Sequence, residues 1–268
     1  MKFVKMHGLG NDFVFLGGKD ALAVRDGAAL AKAICRRHFG VCADGLVLIL
    51  PSEVADARMR IFNPDGSEAE MCGNALRCVG KYLYESGATD RDCLRVETLG
   101  GVKPIRLSVQ GGRVTSVAAD MGRAVISPQV RIALGGRETA FLPVDMGNPH
   151  AVTYELYPCD AEFEHFGPCV ERNPLFPNRT NVEFCRVVSP THAQVRVWER
   201  GAGATLACGT GASAAFAAGV ALGRLRERAQ VELPGGTLLF KLGKSGNVIV
   251  SGPAQISFIG EFPDEFAL

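Results

Sequence analysis

Two stretches of the chain, residues 72–86 and residues 208–222, show the apolar patterns of helices. The first carries one apolar face at the 3.6-residue helical period, formed by Ala75, Leu76, Val79 and Leu83. The second is small or apolar nearly all round, which predicts a helix buried on most sides. Gly87 and Gly223 follow the two stretches and predict their C-terminal ends.

Shorter segments after each predicted helix alternate apolar and polar residues, which is typical of half-buried strands. In the first half of the chain these segments are Leu94–Glu97, Val102–Val109 and Arg113–Ala119, with Gly111-Gly112 as a hairpin turn. In the second half they are Val231–Leu233, Thr237–Leu242 and Asn247–Ser251.

The two halves repeat the same signals in the same order. Cys72-Gly73 and Cys208-Gly209 lie 136 residues apart, Gly10-Asn11 and Gly147-Asn148 lie 137 apart, and Gly112 and Gly246 lie 134 apart. Chance matches among 32 glycines would not keep one order with so small a drift. The pattern indicates one internal duplication, because solenoid repeats are only about 20–50 residues long.

We therefore predict a mixed α/β fold of the α+β type. It has two pseudo-symmetric, duplicated lobes, each a mostly antiparallel β-structure around one central helix, with the active site in the cleft between them. The predicted N-terminal lobe covers residues 1–117 and the C-terminal lobe residues 118–257. Residues 258–268 could return to either lobe, and we assign them to the first.

Composition and charge exclude several classes of function. Apolar residues make up 47% of the 268 residues and charged residues 21%, which is typical of a globular protein. A net charge of +1 argues against a nucleic-acid partner and against a polybasic membrane anchor. The longest aliphatic run is Leu46–Leu50, and the N-terminus lacks the apolar stretch of a secretory signal, so we expect a cytoplasmic protein with no membrane partner.

The nine cysteines predict neither a disulfide framework nor a metal site. Their number is odd, no CxxC occurs, and the nearest pair, Cys72 and Cys78, is six residues apart. Seven of them are expected to be small buried hydrophobic residues: Cys35, Cys42, Cys78, Cys93, Cys159, Cys169 and Cys185.

Cys72 and Cys208 differ from the other seven because the duplication makes them equivalent, each at the start of a predicted helix. Unpaired N–H groups at a helix start should lower the pKa of a thiol and can also hold a carboxylate. Two such thiols on opposite faces of one carbon could invert a stereocentre, one removing a proton and the other delivering one. The carboxylate beside that carbon would accept the developing enolate charge.

Five segments resemble the diaminopimelate epimerase family, and the resemblance runs along essentially the whole chain. They are HGLGNDF at 7–13, FNPDGSEAEMCGNALRC at 62–78, MGNPH at 146–150, RTNVEF at 179–184, and ERGAG with ACGTGA within 199–212. The resemblance implies a cofactor-independent interconversion of LL- and meso-diaminopimelate that serves lysine and peptidoglycan-precursor synthesis. It also implies two pseudo-symmetric lobes, a small-molecule substrate and a homodimer.

The resemblance also assigns roles to particular residues. Cys72 and Cys208 correspond to the two acid/base thiols, with His150 as the partner of Cys72 and Glu199 as the partner of Cys208. Glu199 also counts among the substrate contacts. Backbone N–H groups that would hold the reacting carboxylate belong to Gly73, Asn74, Gly209 and Thr210. Side chains that would bind the substrate's amines and distal carboxylate are Asn11, Asn63, Asn148, Asn181 and Arg200.

No cofactor is expected, since the chain has neither a GxxxxGK[ST] motif nor a GxGxxG after a strand. Two positions depart from the family pattern: Ala204 stands where Glu is usual, and Gly45 stands where some members carry Gln.

Three other interpretations compete with this one. A related racemase acting on proline or histidine would use the same cysteine pair but would have no use for Arg200, which suits a second carboxylate. A thiol redox protein would turn over a dithiol substrate through a Cys72–Cys208 disulfide. A non-catalytic binding module would tolerate Cys72→Ser.

Overall fold

A computed structural model of the chain describes residues 1–263. Its helices are α1 (Gly18–Leu22), α2 (Gly27–Ile34), α3 (Gly73–Glu85), α4 (Asp160–Glu171) and α5 (Gly209–Ala221). Its strands are β1 (Lys2–Gly8), β2 (Asn11–Gly17), β3 (Leu46–Leu50), β4 (Ala57–Phe62), β5 (Glu68–Ala69), β6 (Cys93–Thr98), β7 (Gly101–Gln110), β8 (Arg113–Arg123), β9 (Val125–Ile126), β10 (Val130–Leu134), β11 (Arg137–Asp145), β12 (Pro149–Thr153), β13 (Asn181–Ser189), β14 (His192–Glu199), β15 (Gly203–Thr205), β16 (Arg228–Leu233), β17 (Gly236–Leu242), β18 (Asn247–Gly252) and β19 (Gln255–Glu261).

The chain divides into two units. The first unit is Met1–Ala119 together with the segment that begins at Gly252, and the second unit is Asp120–Ser251. In the first unit β19 pairs antiparallel with β1. Residues 264–268 of the segment predicted to return to the first lobe lie outside the described residues.

Strand pairing follows one order in both units. In the first unit the strands run β19, β1, β2, β3, β4, β6, β7 and β8, with β2–β3 and β4–β6 parallel and the other neighbours antiparallel. In the second unit they run β10, β11, β12, β13, β14, β16, β17 and β18, with β12–β13 and β14–β16 parallel. This repeated order confirms the prediction of a mixed fold with duplicated, mostly antiparallel units.

The two predicted helices form as expected. Helix α3 buries its apolar face, while ten of the thirteen residues of α5 are buried, which fits its small side chains. Gly87 and Gly223 take positive φ angles of 76° and 67° just beyond the helix ends. Helices α1 and α2 in the first unit and α4 in the second bury further residues, and no helical period was predicted for these segments.

The cysteine prediction is right in part. Cys35, Cys78 and Cys185 are buried, whereas four others are exposed: Cys42, Cys93, Cys159 and Cys169. Cys42 lies in a loop and has a positive φ, and Cys93 is the first residue of β6. Cys159 directly precedes α4, and Cys169 lies on the exposed face of that helix. Positions at element ends leave the side chain outside the core, which the usual burial of free cysteines did not predict. None of the nine cysteines forms a disulfide with another described residue.

Within residues 1–263, no helix has the length and apolar character needed to cross a membrane. The same residues contain no group of three or more His, Cys, Asp or Glu side chains suited to hold a metal ion.

Candidate active site

In the first unit, Cys72 stands directly before α3 with an extended backbone, φ −137° and ψ 119°. The Leu76 N–H donates to the Cys72 carbonyl at 2.9 Å and so closes the first helical turn. The thiol of Cys72 donates to Oδ1 of Asn11 across 3.6 Å, and Nδ2 of Asn74 donates to the same oxygen at 3.0 Å. The structure thus brings together three of the predicted site residues.

Asn11 is oriented from its other side by a carboxylate. Its Nδ2 donates to Oδ2 of Asp44 at 2.8 Å, and that oxygen also accepts the Asp12 N–H at 3.0 Å. Because the amide nitrogen is held in this way, the amide oxygen is the atom turned toward Cys72.

A buried guanidinium lies one turn into α3. Arg77 is fully buried and donates to Oδ1 of Asn74 at 2.7 Å, to the Gly73 carbonyl at 3.2 Å and to the Pro253 carbonyl at 3.3 Å. No carboxylate among the described residues forms an ion pair with it. Burial lowers the pKa of Arg77, while the thiols of Cys78 and Cys72, in their charged form, oppose that change. The positive charge at this helix start therefore favours negative charge on the nearby sulfurs.

Asn63 does not join this cluster by hydrogen bonding. It lies in the turn between β4 and β5, where its Nδ2 donates to Oγ of Ser67 at 2.9 Å and its backbone N–H donates to the Ser67 carbonyl at 2.8 Å. Its role as a substrate contact stays a prediction.

Gly45 lies where the backbone leaves no room for a side chain. A Cβ there would lie 2.6 Å from the Phe62 carbonyl oxygen and 3.1 Å from the Phe13 ring. A glutamine at this position would therefore require the local backbone to shift.

In the second unit, Cys208 takes the equivalent position before α5, with φ −117° and ψ 116°. Its sulfur accepts the Gly211 N–H at 3.4 Å and lies 3.4 Å from Oγ1 of Thr210. The Ala212 N–H donates to the Cys208 carbonyl at 2.9 Å. Both predicted thiols thus lie at the same place relative to a helix.

The expected lowering of the pKa is wrong for Cys208. Burial raises the pKa of this thiol well above its ordinary value, and the negative charges of Glu199 and Glu183 raise it further. The hydrogen bonds from Thr210 and Gly211 act in the opposite direction but are weaker. The sequence showed the helix start and gave no sign of the burial.

His150 is a buried side chain on β12. Its Nδ1 lies 2.7 Å from Oε1 of Glu183, and its Nε2 lies 2.9 Å from Oδ1 of Asn148. Asn148 in turn donates through Nδ2 to Oγ1 of Thr210 at 3.3 Å. The structure thus connects His150, Asn148 and Thr210 to the Cys208 sulfur by hydrogen bonds. The pairing of His150 with Cys72 stays a prediction.

Glu199 ends β14, and its Oε1 accepts the Thr205 hydroxyl at 2.6 Å. The charge of this carboxylate raises the pKa of the Cys208 thiol more than any other nearby charge does, which supports their predicted partnership. Ala204, where the family usually has Glu, is an exposed residue of β15 opposite Trp198.

Asn181 connects two backbone segments of the second unit. Its Nδ2 donates to the Pro149 carbonyl at 2.9 Å, and its Oδ1 accepts the Arg200 N–H at 2.9 Å. The exposed Arg200 side chain donates through Nη1 to the Asn178 carbonyl at 3.1 Å and forms no ion pair with any residue in the range 1–263. Its guanidinium remains suited to a ligand carboxylate.

Sequence reasoning missed three residues of these clusters: Asp44, Arg77 and Glu183. The signal for Glu183 was an acidic residue between Val182 and Phe184 on a strand buried on both faces. Arg77 likewise occupies the apolar side of its helix. Asp44 carried no signal beyond its place in a loop.

Comparison with known proteins places the chain in one family along most of its length. The sequence model of diaminopimelate epimerase matches residues 3–127 and 142–257. The diaminopimelate epimerase of Pelotomaculum thermopropionicum is 49% identical, covering 98% of this chain and 99% of the relative. That of Desulfitobacterium hafniense is 47% identical over 97% of both chains, and that of Methanococcus maripaludis is 43% identical over 97% of this chain and 99% of the relative.

Solved structures at lower identity share the fold. A probable proline racemase from Agrobacterium radiobacter superposes with a TM-score of 0.75 at 17% identity, covering 98% of this chain and 92% of the other. A PhzF-family phenazine biosynthesis protein from Bacillus anthracis gives 0.75 at 18% identity, covering 98% and 99%.

Proposed function

The chain belongs to the diaminopimelate epimerase family and is an isomerase that interconverts LL- and meso-diaminopimelate, and we propose that it does so with Cys72 and Cys208 as its two acid/base groups. One observation carries this proposal. Each unit places a cysteine, followed by glycine, at the start of a helix with nearly the same backbone angles. Such a matched pair suits a reaction whose forward and reverse directions exchange the roles of acid and base.

Each turnover moves one proton off the α-carbon and one proton onto it. A thiolate takes the α-proton, so the C–H bond breaks, an S–H bond forms and the electron pair enters the adjoining carboxylate as an enolate. The other thiol then gives its proton to the opposite face of the carbon and becomes a thiolate. No electrons are gained or lost overall, so the residues need no cofactor for this chemistry.

Helix starts would stabilise the enolate. The N–H groups of Gly73 and Asn74 in one unit, and of Gly209 and Thr210 in the other, belong to the first turns of α3 and α5. First-turn N–H groups lack helical partners and favour a negatively charged oxygen.

The distal end of the substrate is matched by polar side chains. The Arg200 guanidinium suits the second carboxylate of diaminopimelate, since it is exposed and forms no ion pair with the described residues. Amide oxygens accept from ammonium groups, which supports Asn11, Asn63 and Asn148 as contacts of the substrate amines. Asn181 contributes mainly by holding the Arg200 backbone.

The test is incubation of the reduced protein with LL-diaminopimelate in D2O without added cofactor, followed by NMR. Deuterium at one α-carbon together with appearance of the meso form is the expected result. Cys72→Ser and Cys208→Ser are expected to lose most epimerisation, because a serine hydroxyl is a far weaker acid and base. Full activity in either serine variant, or no exchange in the reduced wild type, would refute the two-thiol proposal.

We also propose that the enzyme works in the cytoplasm as a homodimer, supplying lysine and peptidoglycan-precursor synthesis. Nine cysteines without a disulfide among the described residues suit a reducing compartment. Exposed apolar side chains on β19, namely Ile256, Phe258 and Ile259, supply a surface that a second copy could cover. Light scattering coupled to size-exclusion chromatography would measure the mass, and a monomer mass would refute the dimer.

A further inference from the structure

Glu183 is a buried acid to which neither the resemblance nor the proposed mechanism gives a role. Its side chain is fully buried on β13, and its Oε2 has no hydrogen-bond partner among the described residues. A buried polar atom without a partner costs free energy, so its position calls for an explanation beyond packing. The other oxygen, Oε1, lies 2.7 Å from Nδ1 of His150.

A continuous series of polar contacts leads from Glu183 to the thiol of Cys208. From His150, Nε2 lies 2.9 Å from Oδ1 of Asn148, Nδ2 of Asn148 lies 3.3 Å from Oγ1 of Thr210, and that hydroxyl lies 3.4 Å from the Cys208 sulfur. All five residues belong to the second unit.

The donors in this series can point in two directions. When Cys208 is a thiolate, Thr210 donates to sulfur, Asn148 donates to Thr210, and Nε2 of His150 must donate to the Asn148 oxygen. When Cys208 is a thiol that donates to Thr210, the Asn148 amide turns over and Nε2 accepts from it. The two states differ in the place of one proton, on the Cys208 sulfur or on Nε2 of His150. In both states Nδ1 donates to Glu183.

Opposing effects act on the charge of Glu183. Burial raises the pKa of its carboxyl and the charge of Glu199 raises it further, whereas the charge and the hydrogen bond of His150 lower it and so favour a carboxylate paired with the imidazole. Gly211 gives the carboxylate room, since a Cβ there would lie 2.7 Å from Oε1. The other titratable groups that interact with Glu183 are the thiols of Cys185 and Cys208.

We propose that Glu183 is a positioning residue for the epimerisation, whose carboxylate keeps the proton of His150 on Nδ1 and so leaves Nε2 to follow the protonation of Cys208. This inference rests on the proposed function for its kinetic consequence. Its structural content, the position of one proton on His150, stands independently of activity.

The first experiment reads that proton directly. Long-range 1H–15N correlation spectra of the reduced, 15N-labelled wild type distinguish the two histidine tautomers. We expect Nδ1 of His150 to be protonated. A His150 with a bare Nδ1 and a protonated Nε2 would place the proton on Glu183 and overturn the proposal.

The chain supplies a matched control in the same unit. His192 and Glu232 form a second histidine–glutamate pair, with Nε2 2.9 Å from Oε2, and both side chains are partly exposed. Glu232→Gln should move only the His192 signals and leave turnover unchanged. Signals that move in Glu183→Gln but not in Glu232→Gln belong to His150.

Kinetics provide the second test. Removing the group that orients a working imidazole costs about 10- to 100-fold or more in activity in other enzymes. We expect Glu183→Gln, which keeps the size and loses the charge, to lower kcat about 10- to 100-fold with KM changed less than about twofold. Glu183→Asp keeps the charge and should retain Nδ1 protonation and more activity than the Gln variant.

Each outcome decides the inference. A Gln variant with wild-type kcat refutes it when the wild type is active. If the Gln variant does not fold, the wild-type spectrum and the Asp variant give the answer. A wild type that fails to exchange the α-proton of LL-diaminopimelate refutes the proposed function alone, since the tautomer remains measurable.

Discussion

Replacing Asn181 with alanine should destabilise the second unit and weaken substrate binding at once. The side chain is buried and makes two hydrogen bonds of 2.9 Å, one to the Pro149 carbonyl and one from the Arg200 N–H. Alanine leaves both backbone groups without this partner. Each such group costs about 1–3 kcal/mol, and the exposed position of Arg200 lets water offset part of its share. We therefore expect a loss of about 2–4 kcal/mol.

Thermal unfolding followed by circular dichroism measures this loss. For a chain of this size, 1 kcal/mol corresponds to about 2–4 °C, so Tm should fall by about 4–16 °C. Asn173→Ala is the control, because that side chain makes one exposed hydrogen bond, to the Leu175 N–H at 3.0 Å, and its loss should cost under about 1 kcal/mol.

The kinetic measurement separates two roles for Asn181. If it holds the Arg200 backbone, KM for LL-diaminopimelate should rise together with the loss of stability. A higher KM with an unchanged Tm would show that Asn181 acts by touching the substrate and would refute a role in holding the Arg200 backbone.

Three further predictions follow from other residues. Arg200→Ala should raise KM for LL-diaminopimelate about 10- to 100-fold and largely spare kcat, because the substrate loses a charge-assisted pair; an unchanged KM in steady-state assays would contradict this. Arg77→Met should lower stability by about 3 kcal/mol, since three acceptors lose a buried donor; a Tm within about 2 °C of wild type would contradict it. Burial raises the pKa of Cys78 from 9.0 to about 12, so between these pH values the folded chain holds a proton that the unfolded chain has lost. Stability should fall by about 1.4 kcal/mol per pH unit from this thiol, and Cys78→Ala should flatten the dependence in urea unfolding at pH 9 to 11; equal slopes would contradict the assignment.

The sequence was sufficient to predict the parts of the fold that depend on local pattern. The small residues of 208–222 could form only a buried helix, and Cys72 and Cys208 were located at helix starts to within one residue. Gly87 and Gly223 indicated the helix ends in the same way, because the residue that ends a helix often needs a positive φ, which glycine adopts most easily.

Features that depend on burial could not be predicted in this way. Nothing in the neighbours of Cys208 along the chain shows that its sulfur is buried or that Glu183 lies near it. The same limit explains Cys93 and Cys159, which were expected in the core because free cysteines are usually buried and which lie outside it. Parallel pairing of β12 with β13 brings residues some 30 positions apart side by side, and no period in the sequence reports that.

The buried charges show how far the two duplicated units have diverged. At the offset of 136 residues that aligns Cys72 with Cys208, Arg77 aligns with Ser213. At the offset of 137 residues that aligns Asn11 with Asn148, Phe13 aligns with His150. One copy has thus kept or acquired a buried cation and the other a buried acid–base pair, while both retained the same strand order. The duplicated units therefore share a scaffold but differ in the electrostatics around their cysteines. If the two units were identical, the two thiols would have equal environments. In this chain the environments differ, so the rates of the two proton-transfer steps can differ as well. The equilibrium constant between the two stereoisomers is unaffected, because it depends on the isomers alone.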